Sequence, residues 1–411
     1  MSFEINNLFR EGLPAPVAAR FSGYPKYNFV GGHNDNDGIP IDDFIAAMTR
    51  SLKAEGKNLA TYGLLSGFQG YMPLREHIAK RLGRTAGMKD GAENILMTSG
   101  SLQALELVND LLLTPGDVVI AEEACYVGSL GRFARSGVTC RGVRMDEHGM
   151  DMDHLADILS EQKIAGKPVK FIYTIPTVQN PTATVLPIER RTRMLELAAQ
   201  YDCAILEDDC YADLLWEGER PPAIRALDNA KEGEGRVIYC GSYSKTLAPA
   251  LRVGYIVADW PVLSQMLSLK TDSGSPALEQ LMLAEYCPTH FDDHVEKMKS
   301  VLKDKCDTMV SALEENFGAS AEFSRPKGGI FLWINLPENV DTVRSAEIAA
   351  KDGIGLNPGS IWSTNAEKNR SRFRICFGHP DQGTIREGVA KLADICHQEF
   401  GVPLRSGNTV R

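Results

Sequence analysis

Cys203-Ala204-Ile205-Leu206-Glu207-Asp208-Asp209-Cys210-Tyr211 reads as a buried strand that runs out into carboxylates. If that strand belongs to a parallel sheet, its carboxyl end faces the crevice in which such sheets bind ligands. The surrounding sequence supplies the sheet. From about Leu59 to Ala258 short apolar runs alternate with longer stretches of helical period, the pattern of βαβ units. Strands are expected at Asn94–Met97, Val118–Ala121, Val169–Thr174, Ala204–Leu206, Val237–Cys240 and Gly254–Val257. Amphipathic helices are expected at Leu102–Leu113, Met152–Glu161 and Ile188–Gln200.

Beyond Pro261 the texture changes to long charged helices, of which Phe291–Phe317 is the clearest, and then to a strand-rich stretch with Gly329–Asn335 and Arg372–Phe377. A last helix is expected at about Thr384–Phe400, starting just after Gly383. The fold class is therefore α/β: a large domain with a mostly parallel sheet flanked by helices, plus a smaller α+β domain. Their expected extents are residues 41–290 and 291–411. Residues 1–40, rich in Gly, Pro, Asn and Asp, read as an irregular arm that must dock elsewhere.

At 411 residues, with 43% hydrophobic and 24% charged, the chain matches globular enzymes and excludes collagen-like, disordered and disulfide-scaffold classes. Its net charge of -10 gives no basic field to hold a nucleic-acid backbone or an anionic leaflet, so neither nucleic acid nor membrane is expected as a partner. The nine cysteines form no C-x-x-C pair and sit mostly in apolar runs, which points to a reducing compartment and to no metal site. The N-terminal stretch lacks a basic segment followed by an apolar one, and no apolar run approaches ~20 residues. A cytoplasmic protein is expected.

The second informative stretch is Gly241-Ser242-Tyr243-Ser244-Lys245-Thr246-Leu247-Ala248-Pro249-Ala250-Leu251-Arg252-Val253-Gly254-Tyr255, which leaves one expected strand and enters another. Ser242 and Arg252 can hold a phosphate while Lys245 forms an imine with an aldehyde, the requirements of pyridoxal phosphate. Taken alone the stretch is as readily a turn with one exposed lysine. An S-x-x-K reading with Ser242 as nucleophile lacks its K-T-G partner, since Leu247 follows Lys245-Thr246. The acidic strand end weighs in favour of the cofactor. A carboxylate there can keep a pyridine nitrogen protonated, and Tyr211 can reach the ring hydroxyl.

With both elements in place, the sequence resembles the fold-type I pyridoxal-phosphate aminotransferases of class I/II, particularly the 2-aminoadipate and kynurenine aminotransferase branch, from about Phe29 to His379. The resemblance implies a seven-stranded sheet in the large domain and an arm that covers the active site. It implies that Gly100, Ser101 and Leu102, in Thr98-Ser99-Gly100-Ser101-Leu102-Gln103, form the phosphate cup, completed by Ser242 and Arg252. Tyr126 would stack on the pyridine ring. Asn180, in Gln179-Asn180-Pro181-Thr182, and Tyr211 would bond the ring hydroxyl. Asp208 would pair with the ring nitrogen, and Lys245 would be the Schiff-base lysine and proton shuttle. Arg374 would clamp the substrate α-carboxylate, with Asn180 and Gly32 also on the substrate side; His33, where the family pattern is not followed, reads either as a capping or surface histidine of a polar arm or as a substrate-side acid or base. Tyr62 would complete the phosphate site of a neighbouring subunit, which implies a homodimer.

The implied reaction is transamination of an L-amino acid with a 2-oxo acid. The departures from the family pattern leave elimination, replacement or cyclisation at the substrate side chain as the alternative. Gly31-Gly32-His33-Asn34-Asp35-Asn36-Asp37 replaces a Gly-Gly followed by an apolar residue and proline, and the Tyr62–Arg75 stretch is longer by about three residues, as loops tolerate. Ala183 stands for a usual glycine, Ala124 and Cys210 for usual prolines, and Leu102 for a usual glutamine. A third class, the effector domain of a regulator, would need a helix-turn-helix, which residues 1–40 are not expected to supply.

Overall fold

The computed structural model describes residues 3–9, 11, 13, 16, 20–229 and 235–404. Its large sheet has seven strands, numbered here in chain order: β1 Ile95–Thr98, β2 Val118–Glu122, β3 Thr139–Val143, β4 Val169–Thr174, β5 Ala204–Asp208, β6 Val237–Ser242 and β7 Gly254–Val257. They lie in the order β1-β7-β6-β5-β4-β2-β3. β7 is antiparallel to both its neighbours and the other pairs are parallel, so the expected mostly parallel sheet is present.

The central strands are buried on both faces, which is why they read as continuous apolar runs. Alternation then sorts their side chains. Phe171 and Tyr173 of β4, Leu206 of β5 and Ile238 and Cys240 of β6 pack in one core. Ile172, Ile205 and Val237 pack in another on the opposite face. At the carboxyl end of β5 the same period of two puts Asp208 on the Leu206 face and Glu207 on the Ile205 face.

The smaller sheet has the order Phe331–Asn335, Arg372–Cys376, Asn357–Pro358, all antiparallel, covered by helices Thr342–Lys351 and Gln382–Phe400. The last helix begins two residues before the expected Thr384, because Asp381 accepts from the Thr384 N–H at 2.9 Å and caps it. The long helix runs over Ala277–Phe317 and starts fourteen residues ahead of the expected Phe291. Pro288 lies inside it, where a proline removes one hydrogen bond, yet Leu281, Leu283, Tyr286 and Cys287 are all buried and hold the turns around it. Residues up to Val295 pack in the core of the large domain, and those from Met298 onward pack in the core of the small one. The expected boundary at 290/291 falls within this helix.

The arm docks where its apolar residues can be buried. Tyr27–Asn28 pairs in parallel with Ile354–Gly355, and Tyr27 and Phe29 enter the small-domain core. Each such side chain contributes about 1.5–3 kcal/mol on burial, which is what holds an arm with so little regular structure. Buried Lys305 of the long helix donates to Asp35 at 2.7 Å and to the Gly378 carbonyl at 3.1 Å, fastening the far end. Among the described residues no helix is long and apolar enough to cross a membrane.

Candidate active site

A cavity of about 270 Å³ opens at the carboxyl ends of β4, β5 and β6, between the large sheet and the small domain. Gly32, Ser101, Leu102, Tyr126, Asn180, Asp208, Tyr211, Lys245, Arg252 and Arg374 all line it, gathering side chains spread over 343 positions of the chain.

Residue type does not separate Asp208 from Asp209 at the strand end, and only the resemblance chose Asp208. Alternation separates them. Asp208 faces the cavity, with Oδ2 accepting from the Tyr173 hydroxyl at 2.8 Å and Oδ1 buried without a partner. Asp209 faces away and accepts from Arg220 at 2.6 Å and Tyr239 at 3.2 Å. Glu207 accepts the Ile224 and Arg225 N–H groups on the opposite face. Burial raises the Asp208 carboxyl above the ordinary range, opposed by its hydrogen-bond donors.

Lys245 follows β6 by three residues, and its Nζ donates to the Gly32 carbonyl at 2.8 Å. Burial lowers its pKa, favouring the neutral amine that attacks a carbonyl. A Cβ on Gly32 would sit 2.6 Å from Lys245 Nζ, so a side chain there would push the amine from its place. Arg252, in the left-handed region at φ 53°, turns back to donate from Nη2 to the Ser99 carbonyl at 3.2 Å. A Cβ on Gly100 would lie 2.2 Å from that nitrogen, so the guanidinium closes over the start of helix Ser101–Leu112.

Arg374 is on the middle strand of the small sheet and is 4% exposed. Nη1 donates to Asn180 Oδ1 at 3.0 Å, Nη2 to the Val30 carbonyl at 2.7 Å, and the guanidinium lies 3.9 Å from the Trp362 ring centroid. Asn180 in turn donates from Nδ2 to the Tyr211 hydroxyl at 3.3 Å. One chain of contacts thus links the small domain, the arm and the large domain.

Four expected residues are not in the cavity lining, and the first, Gly100, lies under the Arg252 guanidinium. Ser242 points its hydroxyl away from the cavity lining, to the Val253 carbonyl and the Ser244 N–H, and Ser244 lines the cavity in its place. His33 lies outside the lining, its ring edge-on to Tyr24 and His379, and burial lowers its pKa. Tyr62 is 80% exposed and is not among the residues that line its own chain's cavity. Sequence reasoning missed Trp362, Asn357 and Val30, whose carbonyl accepts from both Arg374 and Asn357. It also missed Tyr173, although its position on the same face as Asp208 could have been read from the two-residue period.

The donor set fits pyridoxal phosphate. Asp208 Oδ1 is a buried acceptor waiting for a cationic N–H, Arg252 and a helix N-terminus with no side-chain cap suit a phosphate, and Lys245 suits an aldehyde. Fold and site together define a pyridoxal-phosphate enzyme of fold type I. The chain belongs to the aminotransferase class I and II family, whose model matches residues 29–392. It is 33% identical over 377 residues to aromatic-amino-acid aminotransferase 1 of Thermococcus litoralis, covering 91% of this chain and 88% of the relative. It is 31% identical over 368 residues to 2-aminoadipate transaminase of Thermus thermophilus, covering 89% and 88%. The crystal structure of Pyrococcus horikoshii kynurenine aminotransferase superposes with a TM-score of 0.84 at 32% identity, covering 90% of this chain and 91% of that one. The protein is an aminotransferase, pyridoxal phosphate is its cofactor, and transamination is its reaction.

Proposed function

We propose that this enzyme moves the amino group of an L-amino acid with an uncharged, largely apolar or aromatic side chain to a 2-oxo acid, with Lys245, Asp208 and Arg374 as its working groups. The observation that carries the reading is the convergence of Lys245 Nζ, the unpartnered Asp208 Oδ1 and the Arg374 fork on one cavity. Pyridoxal phosphate, when bound, supplies the electron sink and carries the amino group between substrates. Ser101, Leu102, Ser244 and Arg252 would hold its phosphate, Tyr126 its ring face, Asn180 and Tyr211 its hydroxyl, and Asp208 its ring nitrogen. Arg374 holds the substrate carboxylate and so orients the Cα–H. Lys245 Nζ would take that proton and return one to complete the transfer.

The side-chain preference rests on charge. The lining has three cationic side chains, Lys245, Arg252 and Arg374, and each has a role already; Val30, Leu102, Val127, Ile175, Pro249 and Trp362 supply the apolar part of the wall. The names of the aromatic-amino-acid and kynurenine relatives support the same preference. Exposed Tyr62, with Leu65 and Phe68 beside it, supports a homodimer in which each copy completes the other's site. Nine free cysteines support work in the reducing cytoplasm. The elimination, replacement or cyclisation alternative rested on departures in the Gly31–Asp37 arm and the Tyr62–Arg75 stretch, and of these residues only Gly32 lines the cavity.

Borohydride reduction and peptide mapping test the central assignment, and the pyridoxyl label is expected on Lys245. A label on another lysine overturns it. A panel of amino acids supplied with 2-oxoglutarate tests the preference, and faster turnover of glutamate-like donors than of aromatic ones rejects it.

A further inference from the structure

Parallel pairing of β5 with β6 sets Asp208 beside Cys240, and Cys210 lies in the turn that follows Asp208. One carboxylate oxygen and the two sulfurs all lie within 4.8 Å of one another, and all three residues are buried. Asp208 is 5% exposed and its Oδ1 has no partner. Asp208 and Cys210 also line the cavity, so the cluster is reached from there and not through the core. Among the described residues no other group of three such side chains converges in this way.

We propose that in the cofactor-free protein Asp208, Cys210 and Cys240 bind one thiophilic divalent cation such as Zn²⁺, and that this cation and pyridoxal phosphate exclude one another. The exclusion rests on the reading of Asp208 as the ring-nitrogen partner; the cation site itself does not. Two sulfurs and a carboxylate oxygen with a fourth position open toward the cavity form a donor set that zinc accepts. A tetrahedron with bonds of about 2.0–2.3 Å has edges of roughly 3.5 Å, so atoms already within 4.8 Å close on the ion by small side-chain movements. The two thiols favour Zn²⁺ or Cd²⁺ over Mg²⁺ or Ca²⁺, which prefer all-oxygen shells. On binding, two S–metal bonds form, two thiol protons pass to solvent and no electron changes hands. An ion there neutralises the carboxylate that the ring nitrogen needs and stands at the base of the cavity.

Cd²⁺ titration of the full-length protein, stripped of cofactor, is the test. The expected result is one Cd²⁺ per chain with a thiolate-to-metal charge-transfer band in the ultraviolet, and slower recovery of the bound cofactor's visible absorbance when pyridoxal phosphate is then added. Protein loaded with pyridoxal phosphate first is expected to show no band. Cys210→Ser and Cys240→Ala should each weaken binding by on the order of a hundredfold, since outer partners alone are worth ~10–100-fold at metal sites. Zn²⁺ should displace Cd²⁺ and bleach the band. A full band in either cysteine variant, when its thermal melt shows it folded, assigns the signal to other thiols and overturns the proposal, as does equal binding before and after cofactor loading. Should a cysteine variant fail to fold, Asp208→Asn replaces it, and unchanged Cd²⁺ affinity in that variant is the refuting result. Failure of the cofactor reading would show separately, as a borohydride label absent from Lys245.

Discussion

Replacing Arg374 probes the substrate end of the site. A guanidinium carries five N–H donors. Two are committed, one to Asn180 Oδ1 at 3.0 Å and one to the Val30 carbonyl at 2.7 Å, and the Nε–H is buried without a partner. Two of those left over suffice to meet a carboxylate as a fork. Hydrogen bonds to charged groups contribute about 1.5–3 kcal/mol each, so Arg374→Ala should cost roughly 3–6 kcal/mol, or about 10²–10⁴-fold in kcat/KM. Because the carboxylate is held alike in ground and transition states, most of the loss should fall on KM. Arg374→Lys keeps the charge but presents it as a point, so it should recover only a minor part. The assay is steady-state kinetics with several amino donors, alongside cofactor absorbance and a thermal melt. A kcat/KM within roughly threefold of wild type for every donor, in protein that melts normally and binds cofactor, would refute the clamp.

Trp362→Leu removes the ring under that guanidinium; at about 0.5–2 kcal/mol for a cation–π contact, KM should rise roughly 2–30-fold with cofactor content unchanged, and an unaltered KM counts against the stack. Burial pushes Glu122 up to about 7 from 4.5, so the folded state holds a proton that the unfolded state has released between those values. Its contribution is present below pH about 4.5 and is lost as pH rises through 7; Glu122→Gln should therefore flatten this part of the Tm-versus-pH curve, and an identical slope rejects the assignment. Mixing inactive Lys245→Ala with inactive Tyr62→Ala protein should restore up to one intact site per mixed dimer, and no recovery after demonstrated subunit exchange argues against a shared site.

Local pattern made much of this legible. Val169–Thr174, Ile188–Gln200 and Gly254–Val257 begin and end where periodicity puts them. Lys245, Asp208 and Arg252 belong to short stretches whose residue types already suggest their chemistry. Reading failed where one residue's role depends on another far along the chain. Nothing near Trp362 says that it will lie against Arg374, and nothing near Val30 says that its carbonyl will accept from that arginine. Ser242 and Ser244 flank the same tyrosine, and only the local turn decides which hydroxyl faces the cavity. The long helix passes through Pro288 and begins ahead of the expected Phe291 because the packing that holds its first turns comes from other segments.

The arm meets the working groups mainly through its backbone: the Val30 carbonyl holds Arg374 and the Gly32 carbonyl holds Lys245. Every residue type offers that oxygen, so position 30 can drift among side chains of similar fit without losing its contact, whereas a side chain at position 32 would displace the lysine amine beside it. Spacing is another matter. Removing one residue between them would draw the second carbonyl along the chain by about 3.3–3.6 Å, farther than a hydrogen bond tolerates. The arm should therefore behave in evolution and in engineering as a ruler: permissive in its letters, strict in its length.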